Sequence, residues 1–265
     1  MPLTVLYRQI FVLTLLLIAA CSVPPDEDPE IIVTLDPEFT VDLFEQRAAD
    51  DGREEFGLWI ESMAQVAWSN YRIEATVAVT ADKITVQLEE VSPPDSCLGS
   101  PGPARGFLPV GPLADGVYRF CFALNPVILN EGILEVKNGR YALSLPNQQG
   151  IDFQNRVLHT LPEGYVWGYA DTPSESDLPV ADQFLQNLKP LTQEPGLPPG
   201  FYAYFPVSGS GQYFFRRSIA PAGQHRPFLR RLSGSPAAVR DLLQGVRNDP
   251  GHPLSVFCLS TFGAL

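Results

Sequence analysis

The chain has 265 residues, a formal net charge of −12 and 45% apolar side chains, so it can build a real core. An acidic surface repels nucleic acid and argues against it as a partner. Its 26 prolines, about twice the usual share, argue for short strands and turns over long helices.

The first twenty residues carry one charge, Arg8, and then an apolar run from Ile10 to Ala20 broken only by Thr14. This is the layout of a secretory signal, and it is shorter than the about 20 apolar residues a spanning helix needs. The run closes on Ile18-Ala19-Ala20-Cys21, which resembles the lipobox of bacterial envelope lipoproteins. The resemblance implies that residues 1–20 are removed, that the Cys21 thiol receives a diacylglycerol and that the new amino terminus is acylated. Each buried methylene contributes about 0.8 kcal/mol, so several acyl chains on Cys21 would hold the chain on a membrane. Position 22 is Ser, not the aspartate that keeps some lipoproteins at the inner membrane, so the resemblance implies the outer membrane more than the inner. The nearby acids are loosely similar to the surface-export signals of some lipoproteins. Residues 21–30, with three prolines and four acids, cannot bury apolar surface and are expected to be a solvated tether.

Residues 31–147 read as strands. In YRIEATVAVTADKITVQLEEV, Ile73, Ala75, Val77 and Val79 alternate with polar neighbours, and after a turn at Ala81 and Asp82 the alternation resumes at Ile84, Val86 and Leu88. Period two on both arms predicts a hairpin with one buried face. Further strands are expected at 31–35, 39–44, 56–62, 106–110, 116–124, 132–138 and 140–145. FGLWIESMAQVAW also fits a helix, and its strand neighbours decide for strand in its first half. Many short strands with turns between them predict an immunoglobulin-like β-sandwich.

Cys97 lies in a loop rich in Pro, Gly and Ser, and Cys121 lies mid-strand on the face of Arg119. An exported chain folds where thiols oxidise, so a Cys97–Cys121 disulfide is expected, closing a loop of about 25 residues and contributing roughly 3 kcal/mol. Cys258, in an apolar run, is expected to be a buried free thiol.

Residues 148–265 read as a small α/β domain. A strand at 164–172 precedes a helix that opens at Ser176 or Asp177 and stops before Pro190; a strand at 201–207, a hairpin-like SGSGQYFFRRS and a strand at 227–233 follow. Ser235 and Pro236 suit the start of a second helix. LSVFCLSTF, apolar on both sides, predicts a central last strand. The segment order resembles a ferredoxin-like split βαβ plan, giving an α+β chain overall.

Charge divides along the chain. Residues 201–265 hold seven arginines and two acids, a charge of +5, whereas 21–200 hold ten basic and twenty-eight acidic residues, a charge of −18. The asymmetry marks either an anion-binding surface or two regions that dock on each other, and covalent linkage favours docking. Tyr165, Trp167 and Tyr169 share one strand face by period two, as do Tyr202 and Tyr204. An open sheet face carrying these rings could stack sugars, peptides or bases; the alternative, favoured because polar-tipped aromatics are frequent at internal interfaces, is that the rings are core or covered. Arg216, Arg217, Arg226, Arg230 and Arg231 could bind carboxylate, phosphate or sulfate on an anionic glycan, a lipid phosphate or an acidic envelope protein, or could bridge domains.

No GxxxxGK[ST], HExxH, GxSxG or CxxC pair occurs, so no catalytic residue, metal ligand or cofactor is assigned. His159, His225 and His252 are scattered and read as loop or surface residues. The function expected is a non-enzymatic binding or assembly component, lipid-anchored in the cell envelope. The alternatives are an exported hydrolase of glycan or peptide, with a histidine and first-module acids between the domains, and a plain spacer.

Overall fold

Alternation of apolar and polar residues organises the first half of the chain. A computed structural model describes residues 35–47, 54–96, 98–124, 127–216, 224–248 and 253–262. The signal-like segment, Cys21, the tether and positions 31–34 lie outside the described residues, as do Cys97, Arg217 and His252.

Strands β1 (Phe39–Arg47), β2 (Glu54–Val66), β3 (Arg72–Val79), β4 (Lys83–Ser92), β5 (Gly102–Pro109), β6 (Gly116–Leu124), β7 (Ile128–Lys137), β8 (Arg140–Ser144), β9 (Ile151–Phe153) and β10 (Val157–His159) form two sheets. The first has the order β5-β2-β1-β9 and the second the order β10-β8-β7-β6-β4-β3. Neighbours are antiparallel except for the parallel pairs β1/β9 and β4/β6. Inward residues of both sheets make one core: Val41, Leu43, Leu58 and Ile60 from the first meet Ile84, Phe120, Leu134 and Tyr141 from the second. Phe56 stacks on Tyr141 with centroids 4.1 Å apart.

The expected hairpin is β3 and β4, with a bulge at Glu74/Ala75. FGLWIESMAQVAW is strand as far as Val66 because Phe56, Leu58 and Ile60 alternate into the core. Its register slips between Glu61 and Gln65, where the Ser62 hydroxyl donates to Ala64 O and accepts from Ala104 N, satisfying backbone groups the irregularity frees. Gly57 permits β5 to lie close, since a Cβ there would stand 2.3 Å from Leu108 O. Residues 151–159, read from sequence with the second module, pair instead with β1 and β8 and so extend both sheets of the first. The chain from Asp36 to Leu265 forms one compact unit.

A third sheet follows: β11 (Tyr165–Thr172), α1 (Leu178–Leu188), β12 (Thr192–Gln193), the hairpin β13 (Gly200–Tyr202) and β14 (Phe205–Val207), β15 (Gln224–Leu232), α2 (Pro236–Arg247) and β16 (Ser255–Ser260). Its order is β12-β15-β11-β16, antiparallel throughout. Ser235 caps α2 by accepting from Ala237 N at 3.2 Å. Both helices cover one sheet face: Ala181, Phe184, Leu188, Val239 and Leu243 pack on Val166, Ala170 and Phe228.

Two expectations are corrected. FYAYFPV is not one strand: Ala203, at φ 55°, breaks it into the β13–β14 hairpin, so Tyr202 and Tyr204 do not share a strand face. The last strand is not central; among the described strands, β16 has β11 alone as a neighbour.

Candidate functional site

The sheet face opposite the helices carries the aromatic stripe, for which core or covered rings were favoured over an open stacking face. It is covered by the connection between β12 and β15, which places Leu197, Phe205 and Val207 against Tyr165, Trp167 and Leu229. Trp167 is 2% and Tyr169 1% exposed, and Tyr165 and Tyr202 are also buried. Tyr204 is half-buried and bridges two elements, its ring 5.5 Å from Trp167 and 5.2 Å from Phe44 of β1. These rings are therefore core, and no stacking platform forms from them. The Tyr165 hydroxyl donates to Pro195 O at 2.6 Å and that of Tyr202 to Pro198 O at 2.9 Å. The Tyr169 hydroxyl is buried without a hydrogen-bond partner, and burial pushes its pKa up to about 12.

The arginines are scattered and mostly paired. Arg216 binds the buried Asp42 of β1 and lies over the Phe44 and Phe201 rings at 5.9 and 5.6 Å. Asp42 Oδ1 also accepts from the backbone N and Nδ2 of Asn155 at 2.9 and 2.8 Å. Arg226 Nε donates to Asp182 at 2.8 Å. Arg230 pairs with Glu194 and donates through Nε to Thr192 Oγ1 at 3.2 Å. Arg231 is exposed, and Arg217 lies outside the described residues. Each of these three ion pairs joins the basic end of the chain to the acidic stretch before residue 200, so part of the charge asymmetry is met inside the molecule.

Of the histidines, His159 and His225 lie among the described residues, and they do not stand together. His159 is half-buried, its ring 5.4 Å from that of Tyr202; burial, then the Arg140 charge, lowers its pKa. His225 stands edge-on to Tyr169, with centroids 5.1 Å apart. Among the described residues no group of three His, Cys, Asp or Glu side chains could hold a metal ion.

Cys121 is buried and unbridged in the structure, with Sγ 3.6 Å from Glu131 Oε1 across the β6/β7 ladder; Cys97, its expected partner, lies outside the described residues. Cys258 is a free, partly exposed thiol packed by the helix-side core, and burial of its sulfur pushes its pKa up to about 12.

What remains open is the outer face of the second sheet. The strand period that buries Tyr118, Phe120 and Phe122 sends Val117, Arg119 and Cys121 outward, and on β7 it sends out Leu129, Glu131 and Ile133. Val117, Leu129 and Ile133 are 65%, 55% and 50% exposed. On the same face lies a groove of about 410 Å³ lined by Arg119, Cys121, Glu131, Ile133, Ser144 and Pro146. Its floor is the tightly packed Gly132, where a Cβ would stand 2.2 Å from Ser144 O. This surface was not singled out from the sequence, although Ile133, out of phase with Leu134 and Val136 in GILEV, carries part of the signal. A second groove, of about 340 Å³, lies beside Arg216 and is lined by Thr40, Glu61, Ser62 and Gln154. Neither groove is lined by a histidine.

Comparison of the chain with protein-family models, with curated proteins and with solved structures finds no match.

Proposed function

We propose that this chain is a lipid-anchored component of a bacterial cell envelope that works by contact with another protein. Its address follows from the resemblance of Ile18–Cys21 to a lipobox. The observation that carries the contact reading is the open outer face of the second sheet, where Val117, Leu129 and Ile133 stand exposed and a groove is lined by Arg119, Glu131 and Ile133. An apolar patch rimmed by charge suits a protein partner. Glycan stacking and lipid-phosphate capture have less support, because the rings that would stack are buried and Arg216, Arg226 and Arg230 are ion-paired.

For the fold, the order β12-β15-β11-β16, with α1 between β11 and β12 and α2 between β15 and β16, supports a ferredoxin-like split βαβ plan. The shared core of the first two sheets favours an immunoglobulin-like sandwich, while the parallel pairs β1/β9 and β4/β6 count against it.

A photo-crosslinking amino acid at position 133 in intact cells tests the contact. A discrete adduct with an envelope protein is expected there and not at Met63, which is exposed elsewhere. No adduct at 133, or the same adduct at 63, contradicts the proposal.

A further inference from the structure

The last strand has the sequence of an interior strand and, among the described strands, the position of an edge. Ser255–Ser260, SVFCLS, contains no charge and no proline, and it pairs with β11 over six consecutive residues without a bulge. Exposed edges are ordinarily blunted by charge, proline, bulges or brevity. The opposite edge follows that rule, since β12 has only two residues, Thr192–Gln193. β16 follows none of it, and Phe257, on the face away from the helices, is 48% exposed. The close seating of β16 on β11 is itself specified by Gly168, where a Cβ would stand 1.9 Å from Phe257 O.

We propose that β16 is completed by β16 of a second copy, running antiparallel across a two-fold axis perpendicular to the sheet and joining the two third sheets into one. Such an axis keeps each sheet face on its own side, so residues that meet must point the same way and the pairing centres on one residue. Centred on Phe257, it sets Val256 opposite Cys258 on the helix-packed face, Phe257 opposite Phe257, and Ser255 opposite Leu259. All these pairs are uncharged, and two half-exposed rings become buried. A second copy fits better than a partner chosen by charge, because the strand offers no charge to complement. It is also a place where two chains of net charge −12 can meet without opposing like charges at the ladder. The inference does not rest on the lipid anchor or on the second-sheet contact.

Native mass spectrometry of the full chain released from detergent counts chains directly. Two chains are expected for the wild type. Phe257→Lys should weaken the dimer at least ~100-fold, since two lysines then oppose each other, with an unchanged circular-dichroism spectrum. Val117→Lys, on the second sheet, should leave it intact. Should Phe257→Lys fail to fold, Ser255→Lys at the exposed end of the same strand replaces it, with loss of the dimer again expected. A wild type monomeric at tens of micromolar, a folded lysine variant of β16 that stays dimeric, or dissociation by Val117→Lys would overturn the proposal.

Discussion

Asp42 and Arg216, 174 positions apart in the chain, form an ion pair that fastens the connection after β14 to the outer face of β1. The Asp42 side chain is 5% exposed and that of Arg216 18%, so removing one partner strands the other in a poorly hydrated place. Asp42→Ala should destabilise the protein by about 3–5 kcal/mol, measured by urea unfolding. The double variant Asp42→Asn/Arg216→Met should recover most of that loss, because the amide oxygen still accepts from Asn155 and no charge is left unpaired. Equal, additive losses would show that the pair is not coupled.

Two tyrosines on one strand should respond oppositely to loss of the hydroxyl. Tyr169 buries its hydroxyl without a partner, whereas Tyr165 donates to Pro195 O. Tyr169→Phe is expected to be neutral or to stabilise by up to about 1 kcal/mol, and Tyr165→Phe to cost about 1 kcal/mol. Thermal unfolding of the two variants separates them, and a large loss in Tyr169→Phe would mean that its hydroxyl has a partner.

The His159 pKa is lowered from 6.5 by burial and by Arg140. The unfolded chain therefore binds the proton more readily, and stability falls as pH drops from about 6.5 through the folded pKa, then stops changing on this account. Above 6.5 the residue contributes its full share. Proton NMR of the imidazole should give a pKa under 6.5, and His159→Gln should flatten this part of the stability profile. An imidazole titrating above 6.5 would reverse the sign and refute it.

The thiols give a test of connectivity. Cys121 is buried and free, and the raised pKa of Cys258 keeps it protonated. Both should label slowly in the native protein and fully in denaturant without reductant, as read by peptide mass mapping. A Cys121 that labels only after reduction would restore the disulfide expected from the export signal.

Much of the fold could be read from local patterns. Alternation at Ile73–Leu88 located the first hairpin, and Ser235-Pro236 located the start of α2. What failed had a common cause, dependence on residues distant in sequence. Tyr202 and Tyr204 share a period-two spacing, but a single positive φ at Ala203 separates them. An internal bridging role was favoured for the arginines, but their partners, Asp42, Asp182 and Glu194, lie 36 to 174 positions away and could not be named from the sequence. β16 looked central because side-chain polarity reports burial within an assembled sheet, whichever chain supplies the neighbour. Val117 was overlooked because the aromatics of β6 dominate its pattern, and Leu129 and Ile133 because Glu131 and Glu135 share their face of β7.

A role in the envelope presupposes that the folded part is held at a membrane, so the mature amino terminus is the decisive quantity. Intact-mass and peptide analysis of the chain purified from its own cells should find Cys21 as the first residue, carrying a diacylglycerol and an amide-linked acyl chain. An unmodified amino terminus beyond Cys21, or a retained leader, would contradict the account.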